Sequence, residues 1–429
     1  MANNTVTAPK GFLAAGIDCG IKKSGKPDLA LLVCPSGAKA AAVFTTNKIT
    51  SAAVQVSREH IKSPKFYAVV ANSGCANACT GQTGIKNAIK MCEETAESLK
   101  RMRDTRLPRS ARNDKVDAIR NTQYAARNVL AASTGIIGHQ LPMDKIAVGI
   151  SKAAAQLSSS PKAGLDFAKA IMTTDTKPKQ AVRRFILGSR VTSHESLITI
   201  AGVVKGAGMI APNMATTLCF ITTDVAISKP LLSKALKTAI DNSLNRLTVD
   251  GHQSTNDTAI ILASSLAGNR PIVTKSPRYK KFTKALMELC DDLARQMALD
   301  AEGATRMFKV VVKGAASKVD AAKAARAIAN YDLVKCAVHG GDPNWGRIIC
   351  AVGSVGVKLN PTKLSCKIGN ITVFQNGAPK KFDAKKAGKI ISQTEHLITV
   401  DLAAGKQSDF CYGCDLSTEY VTINAMYHT

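Results

Sequence analysis

The stretch KGAGMIAPNMATTLCFITTD, residues 205–224, places a glycine-rich turn, a proline and two adjacent threonines directly ahead of an apolar run. Such a loop has two chemical uses. The first is a phosphate cradle, but the residues fit neither G-x-x-x-x-G-K-[ST] nor G-x-G-x-x-G, because Ala211 falls where the last glycine belongs. The second is a close approach of backbone to backbone. Gly206 and Gly208 permit unusual dihedrals, and Pro212 fixes one turn of the chain. A hydroxyl just after a strained turn can attack the carbonyl that precedes it. Cleavage between Ala215 and Thr216 would leave Thr216 with a free amine beside its hydroxyl. An α-amino group titrates at about 7.7–8.0, so it serves as a general base near neutral pH. Threonine activated by its own amine is a recognised nucleophile. A threonine entering a strand is ordinary, and on this stretch alone that plainer reading is the one to prefer.

The elements that must position this junction alternate along the chain. Residues 29–34, 40–46, 52–57 and 66–74 read as strands bounded by turn residues, and 84–100 as an amphipathic helix. Helical periodicity returns at 145–172 and 229–247. It is clearest at 280–299, where Phe282, Leu286, Leu289, Leu293 and Met297 line one side. Strands are expected at 196–204, 217–227, 258–264 and 307–314, and the C-terminal EYVTINAMYHT is apolar and β-rich. The mixture predicts an α/β (α+β) protein of packed sheets flanked by helices. Residues 100–127 break the pattern with nine positive and three negative charges, as a basic insertion would.

Composition narrows the function classes. At 429 residues with 45% apolar content, the chain can bury a large core, and two domains are expected. The formal charge of +27 fits either an anionic partner or a lysine-rich solvated surface. Basic residues are spread along the chain and aromatics are only 4%, which favours the solvated surface over nucleic acid. The twelve cysteines hold a single CxxC, Cys411–Cys414, and the seven histidines form no pair that would complete a zinc site. No metal is expected, and the thiols should be free. The N-terminal stretch lacks the pattern of a signal peptide and no run of about eighteen apolar residues occurs, so a soluble, cytoplasmic protein is expected.

Residues 205–224 resemble the self-cleavage motif of the ornithine acetyltransferase (glutamate N-acetyltransferase) family of arginine biosynthesis. Further blocks resemble the family in family order: PKGFLAAGIDCGIKKSGKPDLALLVC, AVFTTNK, NSGCANACTG, ASTGIIG, MTTDTKPK, VDGHQSTNDT, DAEGAT, GGDPNWGRI and YVTINAMYHT. The resemblance spans the whole chain except 100–127.

The resemblance implies self-cleavage between Ala215 and Thr216, giving an α chain 1–215 and a β chain 216–429. Thr216 is then the nucleophile that carries acetyl from N2-acetylornithine to glutamate through an acyl-enzyme ester. Thr134 and Gly135 of ASTGIIG are the implied oxyanion donors. Substrate binding falls on Thr173, Lys205, Thr216, Glu302, Asn424 and Thr429, with Lys205 suited to a carboxylate and Glu302 to an ammonium. Asp250, Asn256 and Asp257 are expected to form structural hydrogen bonds near the site, and Trp345 to anchor packing. The implied fold is a layered α/β/β/α sandwich over roughly 1–290 with a smaller C-terminal α/β domain over roughly 291–429. The cleaved halves are expected to assemble as α2β2. No cofactor is expected, and a bifunctional version would also take acetyl-CoA as donor.

Overall fold

The computed structural model describes residues 3–104, 124–188, 195–211 and 217–426. The N-terminal part is organised by one bent strand, β2 (Leu29–Phe44). Its first half pairs with β1 (Leu13–Ile17) and β3 (Phe66–Cys75), its second with β8 (Thr258–Ala263). The register slips between Val33 and Ala38, where Pro35 removes a ladder donor and Gly37 takes a φ of 77°. The stretches 29–34 and 40–46, expected as two strands, are the two arms of this one. The full order is β4-β3-β2-β8-β7-β6-β5, with β4 at Val129–Ile136, β5 at Lys179–Leu187, β6 at Ser196–Lys205 and β7 at Leu218–Thr223.

Alternation along these strands builds the layers. In β2, Ala30 and Leu32 point into a core shared with Phe220 of β7 and Ile260 of β8, while Leu29, Leu31 and Val33 point the other way. The two arms of the sheet therefore face each other across a common apolar layer. Outside one arm lie α1 (Ala52–His60), α2 (Gly81–Asp104) and α3 (Met143–Ala155). Outside the other lie α5 (Lys229–Asp241) and α6 (Pro277–Leu299), while α4 (Pro161–Ala170) sends Phe167 into the shared layer. The result is an α/β/β/α sandwich. Both strand faces are covered, which is why these strands read as near-continuous apolar runs.

Two stretches with β-rich composition are helical. Residues 52–57, read as a strand, open α1: Ser51 accepts from the Val54 N–H at 3.3 Å, and Ala52, Ala53 and Val56 turn one face inward. The C-terminal stretch forms α11 (Thr418–Met426), with the Ser417 hydroxyl accepting from the Tyr420 N–H at 3.4 Å. In both cases a capping hydroxyl outweighs the weak strand preference of β-branched residues.

A second sheet, order β12-β11-β10-β13-β9-β14, starts with β9 (Met307–Ala315) and has β10 at Ser365–Ile368, β11 at Ile371–Gln375 and β12 at Ala378–Pro379. In it β9 pairs parallel with β13 (Glu395–Asp401) and antiparallel with β14 (Gln407–Cys414). Helix α7 (Lys318–Asn330) fills its core with Ala321, Ala324, Ala325 and Ile328, and α8 (Asp332–Gly340), α9 (Trp345–Gly353) and α10 (Ala384–Ile391) follow it. Trp345 stacks on Phe374 there, ring centroids 5.1 Å apart. Helix α6 stays along its whole length with the core outside the β5–β8 arm, to which Ala301 and Met307 also belong, and the change of core falls at Phe308 in β9. Most of the basic stretch 100–127 lies outside the described residues. Among the described residues no helix is long and apolar enough to cross a membrane.

Phe220 is fully buried between the sheet arms, edge-on to Phe167 at 5.5 Å. Phe220→Ala should therefore cost about 3–5 kcal/mol, read as an unfolding transition at clearly lower denaturant concentration than in the wild type.

Candidate active site

Three strand ends meet at one place. Lys205, the last residue of β6, lies opposite Leu218, the first of β7, and Leu218 lies beside Thr258 at the start of β8. The Thr258 N–H donates to the Thr217 carbonyl at 2.8 Å. The loop 206–217 therefore leaves and re-enters the sheet at adjacent points. Ala215, Thr216 and Thr429 lie outside the described residues.

A single cleft beside this junction is lined by Thr134, Gly135, Thr173, Lys205, Glu302 and Asn424, together with Thr217 and residues 254–257. Thr134 and Gly135 come from the end of β4, Glu302 from the turn between α6 and β9, and Asn424 from α11. The fold thus brings together every described residue assigned to the site from sequence.

Each is held by identifiable contacts. The buried Lys205 ammonium donates to the Thr134 hydroxyl at 3.1 Å, which leaves that hydroxyl's own proton for donation elsewhere. Gly135 has a φ of 128°, and a Cβ there would lie 2.4 Å from the Gly74 carbonyl carbon, so no other residue fits. The Glu302 N–H donates to the Ala207 carbonyl at 3.0 Å, and its carboxylate accepts from Asn424 at 2.9 Å.

The glycines of 205–208 differ in purpose. Gly206 has a φ of 149°, as expected of an unusual dihedral. Gly208 is needed for space: a Cβ would stand 2.2 Å from the Glu302 carboxylate. Past them, Met209 sits in the left-handed region at φ 54°. Asp250 holds it there by accepting from the Met209 N–H at 2.6 Å and the Ile210 N–H at 2.9 Å.

Asn256 and Asp257 form the far wall. The Asn256 amide donates to the carbonyls of Ala76 at 2.6 Å and Ser133 at 2.7 Å, tying β4 to the segment before β8. Burial pushes the Asp257 carboxyl well above the usual carboxylate range, against the opposing pull of Ser254, Lys205 and Thr45. Its Oδ2 has no hydrogen-bond partner among the described residues. Sequence reasoning gave Asp257 only a structural part, because neither its burial nor its place on the cleft wall is written in VDGHQSTND. Among the described residues no group of three His, Cys, Asp or Glu side chains is placed to hold a metal ion, and all twelve cysteines are free thiols.

A family model described as ArgJ matches residues 13–429, which include every stretch that contributes to the cleft. The chain belongs to the ArgJ family. It is 43% identical over 426 residues to the arginine biosynthesis bifunctional protein ArgJ of Symbiobacterium thermophilum, covering 99% of this chain and 98% of that one. The protein of the same name from Geobacillus kaustophilus is 39% identical over 430 residues, covering 100% and 97%. A crystal structure of the ArgJ protein from Bacillus halodurans is 41% identical with a TM-score of 0.47, covering 48% of this chain and 98% of its own.

The Asp250 anchor is directly measurable. Asp250→Ala removes both acceptors for the Met209 and Ile210 amides, and hydrogen exchange at these two positions should accelerate by at least about tenfold while the amides of β6 stay protected.

Proposed function

We propose that this ArgJ-family protein transfers an acetyl group from N2-acetylornithine to L-glutamate, after cutting its own chain between Ala215 and Thr216. The supporting observation is the convergence of Thr134, Gly135, Thr173, Lys205, Glu302 and Asn424 on one cleft beside Thr217. The amine of Thr216 takes the proton from its own hydroxyl, and the oxygen attacks the acetyl carbonyl. Thr134 Oγ1–H and the Gly135 N–H donate to the oxyanion that forms. As the tetrahedral centre collapses, the Thr216 amine returns the proton to the departing nitrogen, and ornithine leaves an acetyl ester behind. The glutamate amine then attacks that ester through a second oxyanion in the same hole. N-acetylglutamate departs and the Thr216 hydroxyl is restored.

The cleft offers complementary charge. Lys205 pairs with a substrate α-carboxylate, and Glu302, steadied by Asn424, receives the side-chain ammonium of ornithine. Thr173 and the C-terminal Thr429 complete the set. Nucleophile, base and oxyanion donors all come from the chain, so the route calls on no metal or cofactor. The enzyme is proposed to work in the cytoplasm as an α2β2 assembly, without nucleic-acid or membrane partners. A second reading is favoured by the word bifunctional in the names of the relatives. It adds acetyl-CoA as a donor for glutamate.

On a denaturing gel the purified protein should run as two nearly equal fragments, and N-terminal sequencing of the second should begin at Thr216. Thr216→Ala should remain one chain without transfer activity; an intact, fully active wild type would rule the mechanism out. Thr134→Ala should lower kcat by about 100- to 1,000-fold. Formation of N-acetylglutamate with acetyl-CoA as sole donor decides the second reading, and no turnover would exclude it.

A further inference from the structure

Behind the cleft, and outside it, lies a buried cluster of alternating charge. The Lys179 ammonium is 2.5 Å from Asp175 Oδ1 and 2.5 Å from Asp300 Oδ2, and the three side chains are 0%, 0% and 4% exposed. Lys179 opens β5, Asp175 lies in the turn before it, and Asp300 follows α6. Three such charges in the interior are costly unless each meets partners, and these do. Asp175 Oδ1 also accepts from the Gly206 N–H at 2.7 Å, and Oδ2 from the Thr173 N–H at 3.0 Å. Asp300 accepts from the Thr176 N–H at 3.2 Å and from the Thr176 hydroxyl. The cluster thus touches the chain at or next to Thr173 and Lys205, and Asp300 stands two residues before Glu302.

We propose that Asp175, backed by Lys179 and Asp300, is the positioning counter-ion that keeps Lys205 cationic, so that the cleft's hold on a substrate carboxylate is set by a relay outside it. This rests on the reading of Lys205 given above.

The Lys205 ammonium contacts the Thr134 hydroxyl directly, and the charged groups that act on it through the interior are Asp175, Lys179, Asp257, Glu302 and Lys22. Burial pushes Lys205 below the usual lysine range. Asp175 is the strongest opposing influence, Lys179 adds to the lowering, and Asp257 and Glu302 oppose it more weakly. Asp257 is biased towards its neutral form, and Glu302 is engaged with Asn424. Asp175 itself would be pushed up by burial, but Lys179, Lys205 and the Gly206 N–H outweigh that and bring it to about 2. It is therefore an anion that stays charged across the working range, and it lies outside the cleft lining. The sign follows: without the Asp175 charge, the Lys205 ammonium loses its proton at lower pH.

The test is the pH profile of kcat/KM for N2-acetylornithine in the self-cleaved enzyme. Asp175→Asn should move the alkaline limb down by about 1–3 pH units and leave the acid limb, set by the Thr216 amine, in place. Asp175→Glu should restore much of the shift. Asp300→Asn keeps the inner pair, so it should give a smaller displacement in the same direction. It carries the test if Asp175→Asn does not fold. A merely structural cluster would lower thermal stability and total activity with the alkaline limb unmoved, and that result overturns the proposal. Lys205→Met separates the two levels. If it leaves KM for both substrates unchanged, the carboxylate reading falls and the relay with it. If it raises KM while the limb of Asp175→Asn and Asp300→Asn stays fixed, the relay alone fails.

Discussion

An ammonium group cannot lie in a protein interior without acceptors, and Lys205 lies in one. Much of the centre of the molecule is explained by that requirement. The Lys205 side chain reaches Thr134 at the end of a strand from the opposite arm of the sandwich, so the two arms must close before the charge is met. Its position at the last pair of β6 and β7 fixes where the loop 206–217 departs. Two anchors hold the loop's first turn open for Glu302: Asp175 at the Gly206 N–H and Asp250 at the N–H groups of Met209 and Ile210. The polar site is thus a condition of the fold, in which buried donors and acceptors are satisfied only by closing the layers.

Much of this was legible in the sequence. The helix at 277–299 announced itself through apolar residues at helical spacing, and buried strands through continuous apolar runs. Thr134, Thr173, Lys205 and Glu302 were accessible only through resemblance, since nothing in their local spacing points to a shared cleft. Residues 52–57 and 418–426 misled because composition speaks for strands while the decisive groups, Ser51 and Ser417, lie just outside the apolar pattern. Gly208 misled in another way. In sequence its lack of a Cβ suggests conformational freedom, whereas the reason is the Glu302 carboxylate. Distances of that kind come from tertiary placement and leave no trace in sequence neighbourhood.

The order of strands carries a consequence for the life history of the molecule. β7 and β8, from the second half of the chain, sit between β2 and β6, both from the first. Neither half contains the whole of this first sheet, and each would expose unpaired edges of it alone. The interleaving makes a break in the loop 206–217 topologically silent: the ladder on both sides survives the loss of one covalent bond. It also sets a sequence of events, because the junction is assembled only after strands from both halves have paired. A chain end made by a break at this loop would lie inside an already paired sheet.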